Sequence, residues 1–379
     1  LHAHTGSLAL LAADAEPRAL DSVTGVTRSS ATYEDLETAS CVLIVGDDPM
    51  ESNPVAGARI RRAVRRGARV IALTSAPTRV TELADIRVEV RRGTASLALG
   101  WMLRKVLEER TDLQQDGGIR QALSGMTPER LRKDCGVGPS TVRDALDLLT
   151  SVEGSVVAVA SLDARLERSP GSLPVLVELV EILSGGVPGS GVLLTSRVPN
   201  QQGLRLSGLL PRDDIEAEDL SVALQGRQLR GAWIVREDPD ENRDMGAALS
   251  KLQFLVVQDC FMTATAARAD VVLPASTHVE TGGTFVRCDR RIMRTAPAAP
   301  RRVARSVSDV LELAGRRMGL ETGAMEVAGR EELDNGATHL PRPQVVAWSS
   351  AVPEAGPVCS VHGELSSTAR QIGRRLKSH

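Results

Sequence analysis

A chain of 379 residues with 42% hydrophobic and 25% charged residues has ordinary globular composition and the length for two or three α/β units. Its formal net charge of -2 creates no long-range field of either sign, which excludes a general binder of nucleic acid or anionic membrane and leaves partners to local recognition. Apolar runs such as Cys41 to Val45 fall far short of the roughly 20 residues that span a bilayer, so no direct membrane span is expected.

The sequence starts at Leu1 with neither an initiator Met nor a signal-peptide pattern, so its start carries no evidence of location, and cytoplasmic stands only as the default expectation. Cys41, Cys135, Cys260, Cys288 and Cys359 are an odd, scattered set, as suits reduced and individually placed thiols. An iron-sulfur site needs ligands clustered a few residues apart, so no cluster held by this chain is expected. Zinc is equally unsupported, His2 and His4 at the start being the one close histidine pair.

Cys41 to Val45 is an apolar run ending at Gly46, followed by Asp47, Asp48 and Pro49, the pattern of a buried strand entering a loop. A helix should follow, with Asn53 as N-cap, Pro54 at the first helical position and Gly67 as the left-handed residue after its end. Val55, Ala58, Ile60, Ala63 and Val64 are expected on its inward face. With a second strand at Val70 to Leu73, this stretch reads as a βαβ unit with a right-handed crossover. Pro128 to Leu149 reads as two short helices around a turn at Gly136, Gly138 and Pro139. Ser155 to Ala160 is a strand, Pro174 to Leu183 a helix capped by Ser172 and closed by Gly185 and Gly186, and Gly191 to Thr195 another strand. Ala232 to Val235, Phe254 to Val257 and Val271 to Leu273 supply three more, the last two expected to be buried, with a helix at Met245 to Lys251. Such alternation implies doubly wound α/β parallel sheets. The expected organisation is an N-terminal segment 1–35, a first α/β domain 36–212, a second 213–319, and an extended, proline-broken tail 320–379.

In open parallel sheets ligands sit beyond the carboxyl ends of strands, and four loops qualify. They are Gly46 to Pro54, Thr74 to Thr78, Arg92 to Ala95 and Asn200 to Gly203. In the later segment Asp259 follows a strand, Thr263 can cap a short helix and Asp270 precedes the next strand. Glu280, Gly283, Thr284, Phe285, Arg290 and Arg291 follow, and Gly282 and Gly283 allow close backbone approach, while the two arginines can clamp phosphate or a partner's carboxylates. Arg59, Arg61, Arg62, Arg65, Arg66 and Arg69 line the polar side of the first helix. With only three Phe, three Trp and one Tyr in the chain, they read as a solvated or subunit-facing surface, not a nucleic-acid platform. His278 can shuttle protons or serve as a hydrogen-bonded structural residue.

The run from Phe254 to Arg294, FLVVQDCFMTATAARADVVLPASTHVETGGTFVRCDRRIMR, closely resembles a segment of the molybdopterin oxidoreductase superfamily, which includes formate dehydrogenase large subunits and the large iron-sulfur subunit of NADH-quinone oxidoreductase. The resemblance covers roughly Ala31 to Gly319 and implies two central α/β domains of that type, without the iron-sulfur and C-terminal barrel modules. The family's pterin-guanine dinucleotide lies against a Gly-Ser/Asp-Asn-Pro-x-Glu-x-His-Pro loop, similar here to Gly46 through Pro54. The resemblance therefore implies cofactor-binding positions at Gly46, Asp48, Glu51, Asn53, Asn200, Gln202, Gly203, Asp259, Glu280, Gly283, Thr284 and Arg290. It implies no metal ligand and no catalytic residue in this chain. Where relatives carry Asp-Pro-Arg-x-Thr and Arg-Pro-Gly-Thr-Asp, this chain has Thr74-Ser75-Ala76-Pro77-Thr78 and Arg92-Gly93-Thr94-Ala95. Two lost charge-assisted hydrogen bonds cost roughly 3–6 kcal/mol, on the order of 10²- to 10⁴-fold in affinity. The expectation is a non-catalytic subunit that scaffolds iron-sulfur or flavin subunits of a multisubunit redox complex and carries no cofactor itself. The alternative is the cofactor-binding half of a formate-dehydrogenase-like enzyme with molybdenum or tungsten and molybdopterin guanine dinucleotide.

Overall fold

The computed structural model describes residues 29–109, 123–161, 172–196, 200, 202–203, 230–241, 243–302 and 305–317. They divide into two compact units, one drawn from Glu16–Gln202 and Arg287–Arg291, the other from Gly203–Val286 and Ile292–Thr338.

The first unit is built on five parallel strands. Helix α1 (Tyr33–Thr38) starts at a capping box in which Thr32 and Asp35 satisfy each other's backbone N–H groups. Then follow β1 (Cys41–Val45), the one-turn α2 (Pro49–Ser52), α3 (Pro54–Arg65), β2 (Arg69–Thr74) and β3 (Ile86–Glu89). Helix α4 (Ala95–Glu109), α5 (Pro139–Ser151), β4 (Val156–Ser161), α6 (Ser172–Ser184) and β5 (Gly191–Thr195) complete it. The strand order is β3-β2-β1-β4-β5, with β1 paired in parallel to both β2 and β4. Because side chains alternate across a strand, Cys41, Leu43 and Val45 enter the core with α4, α5 and α6, while Val42 and Ile44 enter the opposite one with α1 and α3. All five are buried, so β1 is the apolar spine of a doubly wound sheet.

Helix α3 keeps the expected start and stop: Asn53 accepts from Ala56 N–H, Pro54 sits at the first turn and Gly67 takes φ +97°. Its inward face differs from expectation. Ala56, Gly57, Ile60 and Ala63 are buried, whereas Val55 is 51% exposed and Ala58 is exposed. The helix is rotated so that Gly57 lies against α2, where a Cβ would come within 3.0 Å of Met50. Helix α6 starts at Ser172 itself, so that serine is inside the helix and not before it. Strand β3 and helix α4, which lack strong punctuation, were not anticipated.

The second unit holds β6 (Gly231–Val235), α7 (Arg243–Leu249), β7 (Phe254–Asp259), α8 (Ala264–Ala267) and β8 (Val271–Pro274). The three strands are parallel in the order β6-β7-β8. Ile234, Leu255 and Val257 pack with Met245, Ala248, Leu249 and Ala266 from the two helices. Strand β8 was expected to be buried, but Val271 and Val272 are 37% and 41% exposed because β8 is the edge strand of the described sheet. The hairpin β9 (Gly283–Val286) and β10 (Ile292–Thr295) is antiparallel, and α9 (Val307–Arg317) follows. The expected helix at Met245 to Lys251 instead spans Arg243–Leu249. The tail 320–379 and the pair His2 and His4 lie outside the described residues. No helix among the described residues is long and apolar enough to cross a membrane.

Candidate cofactor crevice

The strand order of the first sheet reverses between β1 and β4, since β1 to β3 run one way from the centre and β4 to β5 the other. The crevice beyond the carboxyl ends at such a reversal is where open α/β sheets take ligands. The loop Gly46 to Asn53 leaves β1 at this point. Gly46 adopts φ +86°, a left-handed conformation open to glycine, and its N–H donates to Leu73 O at 2.9 Å.

Asp48, next but one, is buried and shapes two loops at once. Its Oδ1 accepts from Met50 N–H at 2.8 Å, and its Oδ2 accepts from Arg79 N–H at 2.8 Å and Val80 N–H at 3.4 Å. Loops one and two are thereby locked together. Glu51 is exposed and meets Arg79 at 3.7 Å, a solvated pair of little weight. In the second loop, Thr78 Oγ1 is buried without a hydrogen-bond partner. Gly93 in the third loop takes φ +80°, and Cys135 Sγ donates to Thr94 O at 3.6 Å just before α4. In the fourth, Asn200 takes φ +61°, Gln202 is buried with Nε2 lacking a partner, Gly203 is half-buried, and residue 201 lies outside the described residues.

Asn53 belongs to a closed polar ring that the sequence did not advertise. Cys288 S–H donates to the Tyr33 hydroxyl at 3.0 Å, Tyr33 O–H donates to Asn53 Oδ1 at 3.0 Å, and Asn53 Nδ2 points back to Cys288 Sγ at 3.9 Å. The Arg287 guanidinium stacks 5.0 Å from the Tyr33 ring centre, and Ser29 Oγ donates to Cys288 O while accepting from Leu194 N–H at 2.9 Å. Burial, reinforced by the neighbouring Cys288, pushes the Tyr33 phenol well above its ordinary range, and burial pushes the Cys288 thiol up to about 11. Both groups therefore stay protonated at neutral pH and act as hydrogen-bond struts, not as base or nucleophile. The capping pattern Thr32-x-x-Asp35 marks α1 in the sequence, but no local pattern links Tyr33 to Cys288, 255 positions away.

Arg290, placed with the same unit, is buried with φ +71°, and its N–H donates to Arg287 O at 2.9 Å. Arg291 is exposed.

In the second unit Asp259 Oδ1 accepts from Phe261 N–H at 3.0 Å, and Thr263 caps α8 through Ala266 N–H. Asp270 accepts from Leu255 N–H at 2.7 Å. Glu280 completes a capping box with Thr277 and accepts from Arg302 N–H at 3.2 Å; these hydrogen bonds, led by Thr277 N–H, hold its carboxyl below the usual range. Gly283 and Thr284 are exposed on β9, and His278 is exposed. At the carboxyl end of β7, Gln258 is fully buried with neither amide atom hydrogen-bonded, and Ser276 Oγ, just past β8, is buried and also without a partner. Arg236, after β6, takes φ +54°, donates its backbone N–H to Gln258 O and sends its guanidinium to Ser276 O. A cavity of about 140 Å³ lies elsewhere in this unit, against Ser250, Leu252, Thr265 and Arg268. Its arginine is already tied to Asp240 and Ser250. Among the described residues no group of three or more His, Cys, Asp or Glu is gathered to hold a metal ion.

In the first unit, Thr78 Oγ1 and Gln202 Nε2 are buried polar atoms without partners in loops that follow parallel strands, which meets one requirement for a bound dinucleotide. The fold is that of an α/β protein built on parallel sheets. The molybdopterin oxidoreductase family model matches residues 198–310. Similar curated proteins include the F420-dependent formate dehydrogenase subunit alpha of Methanocaldococcus jannaschii, 26% identical over 299 residues, covering 69% of this chain and 44% of that protein. Formate dehydrogenase H of Escherichia coli is 24% identical over 309 residues, covering 70% of this chain and 43% of that protein. The solved structure of acetylene hydratase from Pelobacter acetylenicus superposes with a TM-score of 0.61 at 16% identity, covering 80% of this chain and 50% of that one, which shows a shared fold. Residues 198–310 thus match the molybdopterin oxidoreductase family, and the chain as a whole is similar to formate dehydrogenase members of that superfamily and spans less than half the length of these two relatives.

Proposed function

We propose that this chain is the cofactor-cradling α/β portion of a formate-dehydrogenase-like molybdopterin oxidoreductase. The observation that carries the reading is the loop Gly46 to Asn53 standing at the strand-order reversal of the first sheet. Relatives matched across about 300 residues are formate dehydrogenase alpha subunits, which supports the same reading.

A pterin-guanine dinucleotide, when bound, supplies two-electron redox chemistry at its molybdenum or tungsten. This chain's part is to hold and orient it. Gly46 leaves the backbone bare for close approach, and Thr78 and Gln202 offer buried polar atoms that lack protein partners. Asp48 and Asn53 fix the loop's shape through backbone N–H groups. The residues near Ser75 and Ala95, where relatives carry carboxylates, weaken the grip on the nucleotide end.

Those two replacements favour a second reading, a non-catalytic subunit that scaffolds iron-sulfur and flavin subunits. Metal and pterin analysis of the purified natural-length protein tests between them. One molybdenum or tungsten with guanine dinucleotide per chain supports cofactor binding, whereas iron and flavin without pterin support the scaffold and sink the first reading.

A further inference from the structure

Helix α3 carries Arg59, Arg61, Arg62 and Arg65, with Arg66 as its C-cap, and not one acidic residue. Like charges four positions apart repel, and Arg61 with Arg65 and Arg62 with Arg66 form two such pairs. The structure relieves only one side of this. Glu37 on α1 is buried among Arg59, Arg62 and Arg66, and these guanidiniums, Arg59 foremost, hold its carboxyl below the usual range. One carboxylate thus serves three arginines. Arg69 is paired with Asp85 at 2.9 Å. Arg61 and Arg65 are exposed and have no ion-pair partner among the described residues, while the Arg62 and Arg66 side chains remain 56% and 57% exposed.

We infer that this face of α3 is a docking surface for a helix of a partner protein that presents glutamates at i and i+4. Arg61 and Arg65 are separated along the axis by about 6 Å, one helical turn, and that is the spacing of such glutamates on a facing helix. Guanidinium forks match carboxylates, and α3 already gathers one, since Arg59 and Arg62 each donate to Oε2 of Glu37 on α1. The net charge of -2 and the lack of an exposed aromatic on α1 or α3 disfavour nucleic acid. The inference does not depend on cofactor binding.

The test uses the full chain and a labelled helical peptide of about 20 residues with paired glutamates at i and i+4, followed by fluorescence anisotropy. A peptide of the same composition with glutamates at i and i+2, a heparin oligosaccharide and phosphatidylserine vesicles are the other probes. The paired peptide should bind at least about 5-fold tighter than the i, i+2 peptide and more weakly as salt rises. R61E/R65E should weaken it at least about 10-fold, whereas R132E/K133E, the same charge change at exposed positions elsewhere, should change it less than about 2-fold. R61K/R65K, which keeps the charge and cannot disturb folding through charge reversal, should give an intermediate loss because the fork is gone. Equal binding of the two peptides, equal effects of the two double reversals, unaltered binding by R61K/R65K, or tighter binding of heparin or vesicles would each overturn the inference.

Discussion

The Tyr33 hydroxyl donates to Asn53 Oδ1 at 3.0 Å, and the same oxygen accepts from Ala56 N–H at 3.0 Å, so one amide side chain both caps α3 and anchors α1. Asn53→Ala removes the cap and leaves a buried phenol without its acceptor. A loss of about 2–3 kcal/mol is expected, combining roughly 1 kcal/mol for a cap with the cost of an unsatisfied hydroxyl. Tyr33→Phe, which deletes the donor together with its need, should cost about 1 kcal/mol. Urea unfolding measures both, and an unshifted midpoint for Asn53→Ala would contradict the assignment.

Asp48 joins two loops through three backbone N–H groups, so Asp48→Ala should be more costly than an ordinary cap deletion. About 2–4 kcal/mol is expected, with Asp48→Asn recovering part of it because one acceptor oxygen survives. Hydrogen exchange should speed up at both Met50 and Val80 in the alanine variant. Acceleration at Met50 alone would show that Asp48 does not connect the loops.

Glu178 on α6 has a buried carboxylate oxygen without a partner, and burial, then the nearby Glu181, pushes its carboxyl up from 4.5 to about 7. Between those values the folded chain holds the proton and the unfolded chain does not. Its contribution is therefore fully present below about pH 4.5 and is lost as pH rises through about 7. Glu178→Gln should remove a decline of up to about 3 kcal/mol between about pH 5 and about pH 8. Urea midpoints that fall equally in both proteins would rule this group out as the source.

The described thiols differ sharply in reach. Burial pushes Cys41 up to about 12 and Cys288 up to about 11 and raises Cys135, whereas Cys260 is exposed after β7. Among these four, Cys260 should react first with a maleimide on the native chain, and mapping of the modified peptides would show it. Prompt labelling of Cys288 would mean that the ring with Tyr33 and Asn53 is open.

Much of the fold was legible because its signals are local. The run Cys41 to Val45, the Asn53-Pro54 start and the Gly67 stop each carry their own chemistry within a few residues. The inward face of α3 was misjudged at Val55 and Ala58 because periodicity fixes spacing and leaves rotation open, and the close approach of Gly57 to Met50 decided it. Strand β8 was misjudged because an apolar run reads the same at a sheet edge as in its middle. The candidate loops were legible as loops. Their internal economy was not, since Asp48 reaching Arg79 and Tyr33 reaching Cys288 depend on contacts distant in sequence.

The central claim is that the β1 loop at the strand reversal is where the dinucleotide lies. Hydrogen exchange on the natural-length protein, loaded and then stripped of cofactor, tests it directly. The account predicts protection of Gly46 to Asn53 and Thr74 to Val80 in the loaded form that disappears on stripping. Unchanged exchange in both segments, with stoichiometric pterin in the loaded form, would contradict it.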